Sequence, residues 1–391
     1  MEDVLNLPVE KMTGLSFNCE CGRFHSFGVK KIYIGQNSGE VLLDVILNIK
    51  PEKILILADN NTWDAEGKNI FEFLSDNKFK VKSFVFNQES TLIPDERAAG
   101  SILIEAEKDI SLIITAGSGT LNDLSRFISF KLNIPYIILC TAPSMDGYAS
   151  MVSPLIVRGY KKTFGAVYPY AVIADEDVIC SAPIEMLRAG FGDMIGKFTA
   201  LSDWELSNKV NGEHICHTCE SLMKKAAKET ALQAELIGSR NKDAVKKLFN
   251  SLILSGISMG LVGNSRPASG SEHHLSHYWE MKAITEGAPH PLHGNAVGVG
   301  TIVISAIYER LKDELEISSF PPGTEYISDL LKKANLIYNP AELGISRDVF
   351  HESIIHAMEI RPRYTILSYL SQKGNLKEMA DSLTQEFYDD I

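Results

Sequence analysis

Leu112-Ile113-Ile114-Thr115-Ala116-Gly117-Ser118-Gly119-Thr120-Leu121-Asn122-Asp123 runs from an apolar stretch, through a cluster of small residues, into a segment of helical spacing. An apolar run without alternation suits a strand covered on both faces, as in a parallel sheet. Small residues at its carboxyl end let backbone N–H groups approach a pyrophosphate at the positive end of the following helix. The stretch has neither the Gly-x-Gly-x-x-Gly spacing of the usual dinucleotide fold nor the lysine of an ATP-binding loop. A Gly-Ser-Gly turn needs no ligand, so its place at a strand exit carries the argument for a nucleotide.

The same alternation continues on both sides. Strands are expected at Lys31–Ile34, Lys53–Ala58, Val81–Phe86, Ser111–Thr115, Tyr136–Cys140 and Ala171–Ala174, with helices at Ser38–Ile49, Thr62–Asn77, Asp95–Lys108 and Thr120–Leu132. Strands alternating with helices predict a Rossmann-like parallel α/β sheet. Met151–Tyr168, mixed in order, is expected to leave the sheet as a hairpin. After Pro183 the strand-like runs vanish. Ala226–Ser239, Asp243–Val262, Asn295–Leu311, Gly323–Ala334, Arg347–Met358 and Leu376–Phe387 carry apolar residues at helical spacing. Stops fall at Gly263-Asn264, Pro267, Pro289-His290-Pro291, Pro321-Pro322 and Pro340. A chain of 391 residues exceeds one ordinary core. Two domains are therefore expected, an α/β nucleotide-binding domain over 1–180 and an all-helical domain over 181–391, with ligands in the cleft between them.

Hydrophobic residues make up 45% and charged residues 23%, as in a soluble globular protein. A formal charge of −12 argues against nonspecific nucleic-acid binding. An anionic substrate would then need backbone amides, a metal or a few placed cations. Met1-Glu2-Asp3-Val4-Leu5 does not read as a secretory signal, and no apolar run approaches the roughly 20 residues of a membrane span. The expected compartment is the cytoplasm. Six cysteines make no disulfide framework. Cys19-Glu20-Cys21-Gly22-Arg23-Phe24-His25 and His214-Ile215-Cys216-His217-Thr218-Cys219 look like short metal-binding runs and together hold four thiols. Neither has zinc-finger spacing, and Cys216 and Cys219 would simply share a helix face.

Five of the ten histidines fall between His273 and His293. Imidazole is a common transition-metal ligand and a proton carrier near neutral pH, although most lone histidines are structural. The turn-like Pro267–Ser271, a helical stretch over Leu275–Ala283 and the break at Pro289-His290-Pro291 give two helix starts that would bring separated histidines together. Asp59 ends a strand, where a carboxylate accepts from ribose hydroxyls and favours NAD over NADP; with Asn60, Asn61 and Thr62 it equally suits a helix cap. Thr141-Ala142-Pro143-Ser144-Met145-Asp146-Gly147-Tyr148-Ala149-Ser150 gathers hydroxyls and a carboxylate behind a buried strand. Asp193 and Lys197, four apart, share a helix face, and their plain reading is a salt bridge.

Gly190-Phe191-Gly192-Asp193-Met194-Ile195-Gly196-Lys197, Ser265-Arg266-Pro267-Ala268-Ser269-Gly270-Ser271-Glu272-His273 and His293-Gly294-Asn295-Ala296-Val297-Gly298 carry a resemblance, with Gly117 to Asp123 and Thr141 to Gly147. In that order, over nearly the whole chain, they resemble the glycerol-1-phosphate dehydrogenase family, particularly its bacterial branch, within the iron-containing alcohol dehydrogenase and dehydroquinate synthase-like superfamily. The resemblance implies an α/β NAD-binding domain and a helical metal-binding, catalytic domain. It implies NAD(H) or NADP(H), one divalent metal (zinc or nickel), and reversible reduction of dihydroxyacetone phosphate to sn-glycerol 1-phosphate. A homodimer and a product feeding ether-linked lipid or related phosphoglycerol synthesis are implied as well.

Position by position, the resemblance makes Asp193, His273 and His293 the metal ligands, with His274 the competitor for His273. His277 is assigned to substrate contact or proton transfer, and Asp193 and Lys197 join it as catalytic residues. Gly117, Ser118, Gly119, Thr120 and Leu121 would hold the pyrophosphate, Asp59 the adenosine ribose, and Thr141, Ser144 and Ser150 the nicotinamide half. Asp146 would touch substrate. For its phosphate the candidates are Lys197, Arg266, Arg158 and Lys162, chosen by nearness to the motifs, with Ser265, Ser269 and Ser271 able to add contacts. A 3-dehydroquinate synthase-like lyase and a glycerol dehydrogenase for unphosphorylated polyols are the competing enzymes; Asp193 and the Ser-Glu-His273 context favour the phosphate-ester dehydrogenase over the lyase. A dimeric scaffold with a vestigial nucleotide site is the non-enzymatic alternative.

Overall fold

Ile54, Leu55, Ile56, Leu57 and Ala58 present no polar side chain on either face of a strand, and each is at most 1% exposed. They lie inside a six-stranded sheet of the chain's computed structural model, which describes residues 2–87 and 91–389. Near the amino terminus β1 (Ser16–Asn18) and β2 (Phe24–Ser26) form a short antiparallel hairpin that the sequence pattern does not signal. The sheet contains β3 (Lys31–Gly35), β4 (Lys53–Asp59), β5 (Val81–Phe86), β6 (Ile110–Gly117) and β7 (Tyr136–Cys140). After a hairpin of β8 (Val152–Val157) and β9 (Tyr160–Gly165), it is completed by β10 (Ala171–Asp175). All its pairings are parallel, in the order β3-β10-β7-β6-β4-β5.

Alternate residues bury opposite faces. Ile54, Ile56, Leu112, Ile114, Ile137 and Leu139 pack with Leu42, Val45 and Ile46 of the helix Ser38–Ile49 and with Ile70 and Leu74 of Lys68–Asp76. The helix Gly119–Leu132 lies on β4, β6 and β7 and buries Leu121, Leu124 and Ile128. The chain steps outward from β4 to β5, then returns past β4 to β6. Such a reversal opens a crevice at the carboxyl ends of the strands. The hairpin turn is Arg158-Gly159, both residues at positive φ (54° and 79°), the backbone of a two-residue turn that follows strand twist.

One element differs from expectation here. The single helix expected over Thr62–Asn77 is a short turn, Asn60–Thr62, then a π-helical turn, Trp63–Gly67, then the helix Lys68–Asp76.

Helices alone make up the chain from Ile184 onward among the described residues. Ile184–Ile195 and Lys197–Asn211 had no periodic signal because they are buried nearly all round; Lys197 through Ser207 are all buried. The helix expected to begin at Ala226 begins at His217, and it ends at Ala231 before a separate turn of helix, Ala234–Gly238. Lys242–Val262 has the length and apolarity to cross a membrane, contrary to the reading that no such run exists, and 67% of its apolar window is buried inside the protein. By contacts, the chain forms two compact units: Glu2–Asn18 with Phe24–Pro183, and Ile184–Ile391 with the turn Cys19–Arg23.

Within the first unit, Arg126 is fully buried and organises the segment after β7. It donates to Asp123 Oδ1 (2.7 Å), Tyr136 Oη (3.0 Å) and the carbonyls of Gly147 (2.6 Å), Tyr148 (3.3 Å) and Val152 (2.7 Å). Burial pushes Asp123 up to about 6 even with Arg126 beside it. Removing one partner of a buried pair strands the other, so Arg126→Met should lower the unfolding free energy by about 3 kcal/mol in urea titration. Arg126→Lys should recover little, because an ammonium cannot reproduce the five-donor fork.

Candidate active site

Glycine contacts set the geometry of the second unit. A Cβ on Gly192 would lie 2.2 Å from the Gly294 carbonyl oxygen, and one on Gly294 only 1.7 Å from that of Ala189. The helices Ile184–Ile195 and His293–Arg310 therefore touch backbone to backbone. This contact sets Asp193, one residue after Gly192, beside His293, the first residue of its helix. A Cβ on Gly300 would meet the Glu272 carbonyl oxygen at 2.8 Å, so the helix Ser271–Glu286 is drawn onto the same place. His273, His277 and Glu280 lie at i, i+4 and i+7 on that helix and share one face.

Ligand atoms of Asp193, His273 and His293 lie within 4.8 Å of one another, and those of His277, Glu280 and His293 form a second, overlapping group. The His277 and His293 rings stack at 5.4 Å, and His273 lies 5.2 Å from His293. His273 Nδ1 donates to Glu272 Oε1 (2.6 Å), which leaves Nε2 facing Asp193 Oδ1 at 3.6 Å. A carboxylate on the far nitrogen of an imidazole fixes tautomer and ring orientation, as it does for metal-bound histidines. Burial opposes ionisation of Asp193, yet Lys197 and the two histidines hold its carboxyl well below the usual carboxylate range. One carboxylate and two imidazoles, three protein donors, fit a divalent transition ion.

Lys197 Nζ donates to Asp193 Oδ1 (2.7 Å) and to the Ala268 carbonyl (3.0 Å), the salt bridge that the spacing suggests. His274 points elsewhere. It is fully buried, neither ring nitrogen has a hydrogen-bond partner, and burial with nearby Arg363 and Arg361 pushes it down to about 3. Arg266 is also placed apart from the histidines: its guanidinium is held by Glu213, Ser207 Oγ (3.2 Å) and the Tyr364 carbonyl (2.8 Å).

Three residues of this region carried no sequence signal. Asp203 accepts from Ser271 N (2.6 Å) and Oγ (2.5 Å), Tyr308 Oη (2.8 Å) and Ile366 N (2.7 Å), anchoring the start of the histidine helix. Arg363 donates to the Ser269 carbonyl (2.5 Å) and Ser265 Oγ (2.8 Å). Arg361 follows the turn Ala357–Ile360 that packs on the histidine helix. Burial pushes its pKa down and the charge of Glu280 partly offsets this, while its guanidinium has no hydrogen bond to any described residue.

In the first unit, the proposed nucleotide residues gather at the carboxyl ends of the adjacent strands β4, β6 and β7. Gly117 closes β6, where a Cβ would strike Leu121 at 2.6 Å, and Gly119, Thr120 and Leu121 open the next helix. Thr141, Ser144 and Ser150 are buried in the segment after β7, with Asp146 half-buried among them. Asp59 caps its helix: Oδ1 accepts from Thr62 N (2.8 Å), while Thr62 Oγ1 accepts from Asp59 N (3.0 Å). Its other carboxylate oxygen accepts no hydrogen bond from a described residue. Arg158 and Lys162 are exposed on the β8–β9 hairpin, which belongs to the first unit.

The sheet topology, the helical unit and the Asp-His-His group define a protein of the iron-containing alcohol dehydrogenase class, and the family model described as iron-containing alcohol dehydrogenase matches residues 33–183. The chain is 35% identical to the glycerol-1-phosphate dehydrogenase [NAD(P)+] of Bacillus licheniformis over 96% of each, and 32% identical to that of Geobacillus stearothermophilus over 94% of this chain and 99% of the relative. It belongs to the glycerol-1-phosphate dehydrogenase family. Among solved structures, the glycerol dehydrogenase of Schizosaccharomyces pombe shares the fold with TM-score 0.66 at 21% identity, covering 91% of this chain and 90% of that one. Maleylacetate reductase from Agrobacterium tumefaciens does so with TM-score 0.66 at 13% identity, covering 91% and 96%.

Gly294→Ala puts a methyl group against backbone that cannot rotate away, so the helix carrying His293 must shift. The expected outcome is metal affinity about 10- to 100-fold weaker by competition titration, the scale seen when the support of a metal ligand is disturbed. Unchanged affinity would show that the glycine contact does not set the site.

Proposed function

We propose that this chain reduces dihydroxyacetone phosphate to sn-glycerol 1-phosphate with NADH or NADPH, reversibly, with a zinc or nickel ion held by Asp193, His273 and His293. The convergence of those three side chains, with Glu272 on the outer nitrogen of His273, carries the reading. When bound, the ion supplies a Lewis acid for the reacting carbonyl or alcohol oxygen. The family's relatives, named as NAD(P)+-dependent glycerol-1-phosphate dehydrogenases, supply the substrate and coenzyme class. A homodimer, implied by the resemblance, belongs to the same reading.

The chain's own residues have separate tasks. The amides opening the Gly119–Leu132 helix hold the coenzyme's pyrophosphate at the helix's positive end. Asp59 keeps one carboxylate oxygen for the ribose, and Thr141, Ser144 and Ser150 provide hydroxyls for the nicotinamide half. Lys197 keeps Asp193 ionised and fixed. His277, its ring stacked on that of His293, carries the proton to or from the substrate oxygen. In place of Arg266, already held by Glu213, we assign the phosphate to Arg361, a half-buried cation without a hydrogen bond. An acidic protein needs such a local cation to hold an anionic substrate.

The test is NAD(P)H oxidation with dihydroxyacetone phosphate after chelation and after return of Zn²⁺ or Ni²⁺, with dihydroxyacetone as control and chiral analysis of the product. Metal-restored activity confined to the phosphorylated ketone, giving the sn-1 product, is expected. Activity on dihydroxyacetone alone would move the chain to glycerol dehydrogenase, and inactivity on both ketones would favour the lyase or the scaffold. Arg361→Met should raise KM for the phosphorylated ketone about 10- to 100-fold, the worth of one charge-assisted hydrogen bond. Arg266→Ala should lower stability instead, and an unchanged KM in Arg361→Met would remove Arg361 from the phosphate site.

A further inference from the structure

The reaction leaves the cysteines unused. Cys19 and Cys216, 197 positions apart, meet in the second unit with their Sγ atoms 3.8 Å apart, and Cys21 Sγ lies within 4.8 Å of both. No disulfide joins the described cysteines. A disulfide would need sulfurs about 2.05 Å apart. Two thiolates on one tetrahedral zinc, each about 2.3 Å from it, are instead about 3.8 Å apart, the separation found here.

The surroundings hold the sulfurs in place. Gly22 N donates to the Cys19 carbonyl (3.0 Å) at φ +82°, a conformation suited to glycine, and closes the turn so that Cys19 and Cys21 converge. His214 Nε2 donates to the Cys21 carbonyl (3.0 Å), and Trp204 Nε1 to the His214 carbonyl (3.1 Å). Cys216 is the N-cap of the helix His217–Ala231 and Cys219 lies in its first turn, where the helix's positive end favours thiolate. Crowded thiols without a cation stay protonated: burial, with Cys19 and Cys216 adding to it, pushes Cys21 up to about 11. A bound metal reverses that balance and deprotonates its thiols.

We propose that Cys19, Cys21 and Cys216 ligate a structural zinc ion distinct from the Asp193–His273–His293 group, tying the Cys19–Arg23 turn to the start of the His217–Ala231 helix. The fourth donor is Cys219, which hydrogen-bonds with Cys216. The two metal sites differ in chemistry, and this makes them separable by experiment. Only the cysteine site gives a thiolate-to-metal charge-transfer band in the near ultraviolet when loaded with Co²⁺.

The full-length protein, loaded with Co²⁺, should show that band. The band should persist in an Asp193→Asn/His293→Ala variant and disappear in Cys19→Ser and in Cys216→Ser. Zinc retained after dialysis against EDTA should fall by one ion per chain in the same cysteine variants and in Cys219→Ser, which removes the fourth ligand. Absence of the band in the unmutated protein, or a Cys19–Cys216 disulfide found by mass spectrometry without reductant, would overturn the proposal. Neither result depends on turnover of dihydroxyacetone phosphate.

Discussion

Close approach of backbone to backbone between two helices governs the second unit. Helices usually pack with axes 8–10 Å apart because side chains keep them separated. Gly192 and Gly294 remove those side chains, and the carbonyls of Ala189 and Gly294 occupy the positions where Cβ atoms would be. Short side chains such as Asp193 then reach a histidine on the neighbouring helix. Without this contact the carboxylate and the imidazole, each on a rigid helix, would be held apart by the packing of larger residues. Gly300 repeats the device against Glu272, so three helices meet where their ligands can share one small volume.

Holding charged groups in such a volume requires partners for each of them. Asp203 receives four hydrogen bonds, although burial and the charge of Glu272 still push it up to about 6. Glu272 is also buried, but His273, the Gly270 N–H (2.6 Å) and Thr199 Oγ1 (2.7 Å) hold it below its ordinary value. Both carboxylates contact backbone N–H groups at the start of the Ser271–Glu286 helix, its positive end. The same contacts that satisfy buried charge thus fix the first turn of the helix, and His273 stands in that turn. Positioning of the ligand and solvation of the carboxylates are one set of hydrogen bonds.

The sequence made the sheet legible because each strand is an unbroken apolar run, and such a run has few alternatives once both faces are covered. The histidine cluster stood out because five of the ten histidines fall between His273 and His293, while Asp193, His273 and His293 were singled out as a set by the family resemblance. Helices buried on every side, Ile184–Ile195 and Lys197–Asn211, were not legible, since periodicity requires a solvent face. Nor were Asp203, Arg361 and Arg363, which approach the histidines from distant parts of the chain and leave no local spacing. Arg266 shows the converse: its nearness to the Ser-Glu-His motif suggested a phosphate ligand, yet Glu213 occupies its guanidinium. Proximity in the chain does not say which face of a turn a side chain leaves from.

The two sets of side chains proposed to bind metal in this unit differ in the way their proposed tasks require. Asp193, His273 and His293 are oxygen and nitrogen donors numbering three, a set that would suit zinc and nickel alike and would leave coordination positions for a substrate oxygen. The cysteines are soft donors that favour zinc, and with Cys219 as fourth donor the proposed site would leave no position for a substrate. Selectivity therefore need not come from affinity alone. A site with open positions exchanges its metal readily and turns over substrate, while a closed thiolate site retains its ion and stabilises the turn and helix that supply its ligands. One chain can hold both because the donors, rather than the fold, decide which ion stays and what it can do.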